Sequence, residues 1–300
     1  MTRVSTFAQH ELIRQTVVRT QERIYTRQAQ IASGKEASAF AAVSKDASQL
    51  LSLKSASVRA DSFVNQNNQI EARLQIADGA LAGMTDLAST VKAKIIQRLN
   101  DASGTAGVLD QDAANMLNSL VGLLGTQVAG RFLFGGAQTD VAPIADPVPD
   151  PTTFGIADDT YYLGDSTELT ARVSETQEVT IGIAGNRLGF QQLIGALKAA
   201  IEGHNTDSNA MLESALELAT GAIGEINAYR AEIGFAANAV SRATASHEDF
   251  RLYADQIVSQ IENVDVPSAV AALAADETAL QASFMIIGRL SSLSLADYLP

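Results

Sequence analysis

Residues capable of chemistry are few and scattered along the chain. The histidines are His10, His204 and His247, and cysteine is absent. The histidines lie far apart and have no acidic cluster at ligand spacing, which excludes a recognisable histidine metal site. Without a thiol there is no disulfide framework, thiolate metal site or cysteine nucleophile. Gly34-Lys35 superficially suggests a phosphate loop. Such a loop needs a glycine five residues before the Gly-Lys pair and Ser or Thr after it, and Ala29 and Glu36 occupy those places. The run Gly130-Arg-Phe-Leu-Phe-Gly-Gly136 lacks the strand-to-helix setting and downstream acid of a dinucleotide site, and no Gly-x-Ser-x-Gly elbow occurs. The pairs Asp110/Asp112 and Asp158/Asp159 read as a helix start and a solvated loop rather than a catalytic dyad. The sequence therefore predicts no catalytic residue, no cofactor and no metal, and a protein that is not an enzyme.

What remains is a pattern of elements. Hydrophobic residues make up 46% of the 300, but aromatics only 5%, with no Trp. An alanine-rich apolar complement of this kind suits close helix packing. The net charge of −13 argues against nucleic acid or an anionic membrane as partner. Residues 1 to 35 carry six basic side chains against two acids, a net of +4, whereas residues 265 to 300 carry one arginine against four acids, a net of −3. The two ends are electrostatically complementary. Residues 140 to 190 hold nine acids and two arginines, a net of −7, and read as a solvated outer surface. No uninterrupted apolar run long enough to cross a bilayer is expected, and Met1 to Phe7 lacks the apolar core of a cleavable signal. These features predict a soluble chain, or one exported without such a signal.

All six prolines fall at Pro143, Pro147, Pro149, Pro151, Pro267 and Pro300, which leaves residues 1 to 142 and 152 to 266 free to be helical. Phe63, Asn67, Ile70, Leu74, Ala77, Leu81, Met84, Ala88, Val91 and Ile95 follow an unbroken 4,3 spacing. Leu212, Ala215, Ala219, Ala222, Ile226, Tyr229, Ile233, Ala236, Val240, Ala243, His247, Phe250, Ala254, Ile257, Ile261 and Val264 keep the same rhythm. His247 is read as a polar residue that sets register. A third helical arm is expected from Asp110 to about Phe132, ended by Gly135 and Gly136.

Between the helical arms, Ala145 to Pro151 reads as a stiff extended linker. Residues 160 to 163, 169 to 173 and 178 to 183 read as short strands, and helix is expected to resume near Phe190. The last helix is expected to start around Pro267 after the Asn263-Val-Asp265 break. Val270, Leu273, Leu280, Phe284 and Ile287 give it an apolar face, with Leu293, Leu295 and Tyr298 in the tail. Phe7, Ile13, Val17, Ile24 and Ile31 form a thinner stripe near the start. Apolar faces of this kind are costly in water unless paired, so identical chains adding through them would polymerise.

Three segments carry a family resemblance. Ile31-Ala-Ser-Gly-Lys-Glu36, with Ser33 and Gly34 at its centre, is similar to the Ser-Gly turn after the first helix of flagellins and their hook-associated relatives. Gly130, Arg131, Phe132, Leu133, Phe134, Gly135 and Gly136 closely resemble a segment typical of hook-filament junction proteins of the FlgL type. Ala279, Leu280, Gln281, Ala282 and Ser283 resemble a stretch shared by that family and flagellins, and the ending Leu293-Ser-Leu-Ala-Asp-Tyr-Leu299 is nearer to the junction type. The family's Asp-Asp-Pro-like turn is replaced by Phe40-Ala-Ala-Val-Ser-Lys-Asp46, without proline.

The resemblance implies a mainly α, elongated, flagellin-like helical bundle in three parts. Residues 1–40 and 268–300 would form a terminal-helix assembly domain lining an inner tube. Residues 41–142 and 190–267 would form the long-helix bundle, and 143–189 a small β-containing outer domain. It further implies a secreted subunit of the extracellular flagellum, exported unfolded through the flagellar type III apparatus with a chaperone. Such a subunit would self-associate into a ring between the hook-side junction protein and flagellin. A filament flagellin is the nearest alternative. A glycan-binding, small-molecule or hydrolytic module in residues 152 to 190 is a further one, although that stretch offers Arg172, Arg187 and acids but no base and nucleophile pair.

Overall fold

The computed structural model describes residues 2–36, 47–100 and 107–296. In chain order the elements are α1 (Thr2–Ser33), α2 (Ala47–Asn100), α3 (Leu109–Leu124), β1 (Gln127–Val128), β2 (Arg131–Phe132), β3 (Thr170–Arg172), β4 (Glu178–Thr180), α4 (Leu188–Asn205), α5 (Asn209–Glu262) and α6 (Val266–Ala296). The chain divides into two compact units. Residues 60–249 form a central unit, and residues up to 59 together with those from 250 onward form a terminal unit.

The central unit is built on the two long apolar seams. From Asn67 to Ile95 in α2, and from Leu212 to Ala243 in α5, every predicted seam position is buried, most of them completely. They join one continuous core with Ala113, Leu117, Leu120 and Leu124 of α3 and Phe190, Leu193, Leu197 and Ala200 of α4. Small side chains let the helices approach closely. A Cβ at Gly203 would stand 3.0 Å from Leu212, and one at Gly189 would stand 2.8 Å from Glu225.

The third helical arm is shorter than the sequence suggests. Asp110 and Asp112 occupy its first turn, where they favour the helix N-terminus, but it stops at Leu124, where the Gly125 amide bonds Val121 O. The remainder of the expected arm is an antiparallel hairpin, with Gln127 opposite Phe132 and Val128 opposite Arg131. Ala129 (φ 51°) and Gly130 (φ 76°) both turn left-handed between them. Two consecutive positive φ values close a two-residue hairpin and cannot extend a helix. The motif glycines Gly135 and Gly136 therefore end no helix.

The β-containing insert is sparser than predicted. Thr170 to Arg172 pairs with Glu178 to Thr180. The ladder ends at residue 180 because the Ile181 and Gly182 amides both turn to Leu169 O, at 2.8 and 3.1 Å. The expected strand at 160 to 163 is reduced to one bridge between Tyr162 and Ile144. Its tyrosines anchor through their hydroxyls instead, Tyr161 to Gly185 O at 2.8 Å and Tyr162 to Asp165 O at 2.7 Å. Burial raises the Tyr161 hydroxyl far above its ordinary pKa and pushes Tyr162 up to about 12. The proline-rich stretch is extended but packed, with Ile144 and Val148 buried. Lys198 of α4 donates to Val148 O at 2.9 Å and reaches Asp150 at 2.7 Å.

The polar residues on the two seams have a shared purpose. Asn67 Nδ2 and His247 Nε2 both donate to the backbone oxygen of Val173, each at 3.1 Å. Phe63 stacks on the His247 ring with centroids 4.9 Å apart. A register residue on each long helix thus ties the edge of the insert to the helices.

Candidate assembly site

In the terminal unit α1 packs along α6. The contact follows a 4,3 spacing on both helices. Ile13, Val17, Thr20, Ile24, Arg27 and Ile31 face it from α1, and Ala269, Leu273, Asp276, Leu280, Ser283 and Ile287 from α6, all buried or half-buried. The apolar stripe read from the sequence is therefore interleaved with polar members. Thr20 returns its hydroxyl to Thr16 O at 2.9 Å and receives Arg23 at 3.1 Å. Arg23 and Arg27 both grip Asp276, at 3.0 and 3.1 Å. Their guanidinium hydrogen bonds, Arg23's first, hold the Asp276 carboxyl below the usual aspartate range. The opposite net charges of the chain ends meet at this carboxylate. Thr20, Arg27 and Asp276 were missed because an apolar count passes over polar residues; the unbroken 4,3 spacing was the signal that could have found them.

The other predicted assembly residues divide. Val270 and Phe284 lie off the seam and are exposed, next to Met285 and Ile286, which are exposed as well. On α1, Leu12, Val18 and Tyr25 are likewise exposed, Tyr25 to 73%. Phe7 lies within α1, Leu293 and Leu295 lie within α6, and Tyr298 falls outside the described residues. The segment Val266–Arg289 is long and apolar enough to cross a membrane by length and composition alone. Asp276, Glu277 and Arg289 interrupt it, so it is not the uninterrupted apolar run that the sequence is expected to lack.

The Ser-Gly element closes the seam. Gly34 adopts φ +68° and its amide bonds Gln30 O at 2.8 Å, a left-handed cap that ends α1. Ser33 Oγ donates to Ala29 O at 2.7 Å. Beyond the cap, the Val264 amide bonds Gly34 O at 3.0 Å and the Glu36 amide bonds Glu262 O at 2.7 Å. Lys35 reaches the Glu262 carboxylate at 2.7 Å, and Lys54 takes the other oxygen. Hydrogen bonds from Lys35, then Lys54, hold the Glu262 carboxyl below its ordinary range. The apparent phosphate-loop lysine is thus one arm of an ion-pair clasp. Asp265 then starts α6, its carbonyl accepting from the Ala269 amide at 2.8 Å. A groove of about 690 Å³ lies beside the seam, lined by Arg19, Arg23 and Arg27 on one side and Val264, Asp265 and Ser268 on the other.

Gly130 to Gly136 belong to the central unit, where they join the helices to the insert. Gly136 has φ +67°, and a Cβ there would stand 2.0 Å from Asp165 O; one on Gly135 would stand 2.5 Å from Gln138 O. Both are places where only glycine fits. Phe134 O accepts the Gly185 amide at 2.8 Å, and Gly135 O accepts the Asp165 amide at 3.2 Å. The Phe134 ring meets Phe190 edge-on at 5.8 Å, and Leu133 is buried beside them. Phe132 is half-buried and Arg131 exposed. In α6, Leu280, Ala282 and Ser283 are half-buried, whereas Ala279 and Gln281 are exposed.

This arrangement has counterparts among known proteins. Residues 4–139 match the profile of the bacterial flagellin N-terminal helical region. Flagellar hook-associated protein 3 of Escherichia coli strain K12 is 22% identical, over 83% of this chain and 84% of that protein. Among solved structures, Bacillus cereus FlgL superposes with a TM-score of 0.57 at 16% identity, covering 70% of this chain and 99% of the other. The flagellar junction protein FlgL from Legionella pneumophila superposes with a TM-score of 0.51 at 12% identity, covering 70% and 98%.

Proposed function

We propose that the chain is a flagellin-like protein of the hook-associated type, the kind that its relatives' profile and sequence resemble, and that it is a structural subunit of the bacterial flagellum. In this reading it is exported unfolded through the flagellar type III apparatus with a chaperone and polymerises at the hook-filament junction, outside the cell. It meets the hook-side junction protein on one side and flagellin on the other. The observation that carries the proposal is the α1–α6 pair: a narrow, partly polar seam flanked by exposed Tyr25, Phe284, Met285 and Ile286. Leaving such faces in water is unfavourable, and addition of identical neighbours covers them. The terminal helices are the assembly part, the long helices a scaffold that transmits torque, and the acidic residues 143–189 the outward face.

Deleting residues 1 to 30 and 270 to 300 tests the assembly role, with incorporation into isolated flagella as readout. Loss of incorporation is expected, and unchanged incorporation sinks the reading. Immunolabelling separates the junction from the filament. A single spot at the hook supports a junction subunit, whereas label along the whole filament would make the chain a flagellin.

A further inference from the structure

The two long helices are gripped unevenly along their length. Toward one end α3 and α4 close on them. Lys94 of α2 reaches Asp112 of α3 at 2.6 Å, and a Cβ on Gly83 would stand 3.2 Å from Leu123. On α5, Leu212 lies 3.0 Å from a Cβ built on Gly203, and the Tyr229 hydroxyl accepts the Gly189 amide at 2.9 Å. From Gly83 and Tyr229 the seams run on for about 25 Å, at the helical rise, to Asn67 and His247. The Arg230–Asp78 ion pair on that stretch is more than a third exposed on both sides and ties the helices only weakly.

At the far end the insert takes hold. The hairpin of β3 and β4 has a stiffened tip: the Val173 amide bonds Gln177 O at 3.0 Å, and Arg172 Nε donates to Ser174 O at 3.2 Å. This tip presents the Val173 carbonyl to both helices at once. Asn67 Nδ2 donates to it from α2 and His247 Nε2 from α5, each at 3.1 Å, and a carbonyl oxygen has two lone pairs to receive them. Val173 and Asn67 are fully withdrawn from water. Asn67 Oδ1 is buried without a partner, so among the described residues the bond to Val173 is the one that this side chain makes. Two polar groups on otherwise apolar seams are a liability unless their acceptor stays in place.

We propose that the β3–β4 hairpin is a strap that buckles the long helices together: its Val173 carbonyl holds α2 and α5 side by side at Asn67 and His247, and undocking the hairpin opens the helix pair there. One oxygen shared by donors on two helices is within reach of both in a single register; a shift of one turn, about 5.4 Å, parts the donors. The insert therefore has an inward duty beside its acidic outer surface. A plain two-helix seam would behave in the opposite way, because there Asn67 and His247 weaken the packing and apolar residues in their place tighten it.

Hydrogen exchange on the purified full chain separates the two. Asn67→Leu with His247→Phe removes both donors and keeps a ring to stack on Phe63. Amides of residues 60 to 70, 170 to 180 and 240 to 249 are expected to exchange about tenfold faster or more, with those of 84 to 98 and 212 to 229 unchanged. Unchanged or slower exchange at 60 to 70 and 240 to 249 overturns the proposal. Replacing residues 170 to 180 by a Gly-Ser linker should open the same helix stretches. In that background the two apolar substitutions should slow exchange again, since the polar groups then have no acceptor to lose. A chain without the hairpin whose helices stay as protected as in the wild type also overturns the proposal. If either chain fails to fold, the other decides.

Discussion

The terminal and central units use the same helical spacing to different effect. In the central unit the seams are withdrawn from water along their length, and Leu74, Leu81, Met84, Ile95, Leu197 and Leu212 are fully buried, with Phe134, Tyr161 and Phe190 closing the core. In the terminal unit the buried apolar side chains among the described residues are Val17, Leu50, Ala254 and Ala269, and polar Thr20 is buried with them. A Leu or Phe withdrawn from water contributes about 1.5–3 kcal/mol, and an alanine much less. The first unit can therefore hold itself together, while the second depends on ion pairs and a backbone clasp. Heptad periodicity alone does not distinguish these cases; the depth to which the seam is buried does.

The largest expected break in this contrast is Phe190→Ala, which removes a ring packed against Phe134 and Tyr229. It should cost about 3–5 kcal/mol in urea unfolding of the central unit, whereas Val17→Ala should leave that transition unmoved. Gly136→Ala comes next, at roughly 2 kcal/mol or more, because both its φ and the Asp165 backbone oppose a Cβ. Loss of protection confined to the insert, seen by hydrogen exchange, checks it. Gly34→Ala should cost only about 1 kcal/mol, since its φ is positive but the space around it is open. Its effect should appear as faster exchange in α1 with no change in the central unit.

The smallest expected effect is one of pH. Asp276 and Glu262 have carboxyl groups held below their ordinary values in the folded chain. Their contribution is complete above the unfolded pKa values of about 4 and is lost as pH falls through the lower folded values. The α1–α6 pairing should therefore hold from neutral pH to about 4.5 and loosen below 4. Helical signal from a chain carrying Asp276→Asn should show a smaller acid step, with the part due to Glu262 remaining. An identical step in both chains would remove Asp276 from the account.

Much of this was legible in the residues. The long seams could be read because apolar side chains repeating in a 4,3 rhythm over many turns suit a packed helix and little else, and the polar interruption at His247 marked a real constraint. Its partner, the Val173 carbonyl, was not legible, since backbone acceptors leave no trace in side-chain type. The end of the third arm was misplaced because Gln127 to Phe132 has acceptable helix composition; Ala129 enters the left-handed region only with the hairpin already formed. Val270 and Phe284 were assigned to the seam on hydrophobicity, yet they point away from α1.

Hydrogen exchange on the isolated monomer tests the central claim most directly. If the terminal helices need a neighbour, amides of residues 11 to 33 and 266 to 289 should exchange orders of magnitude faster than those of the seams at 67 to 95 and 212 to 243. Protection of α1 and α6 equal to that of the central unit would contradict the account.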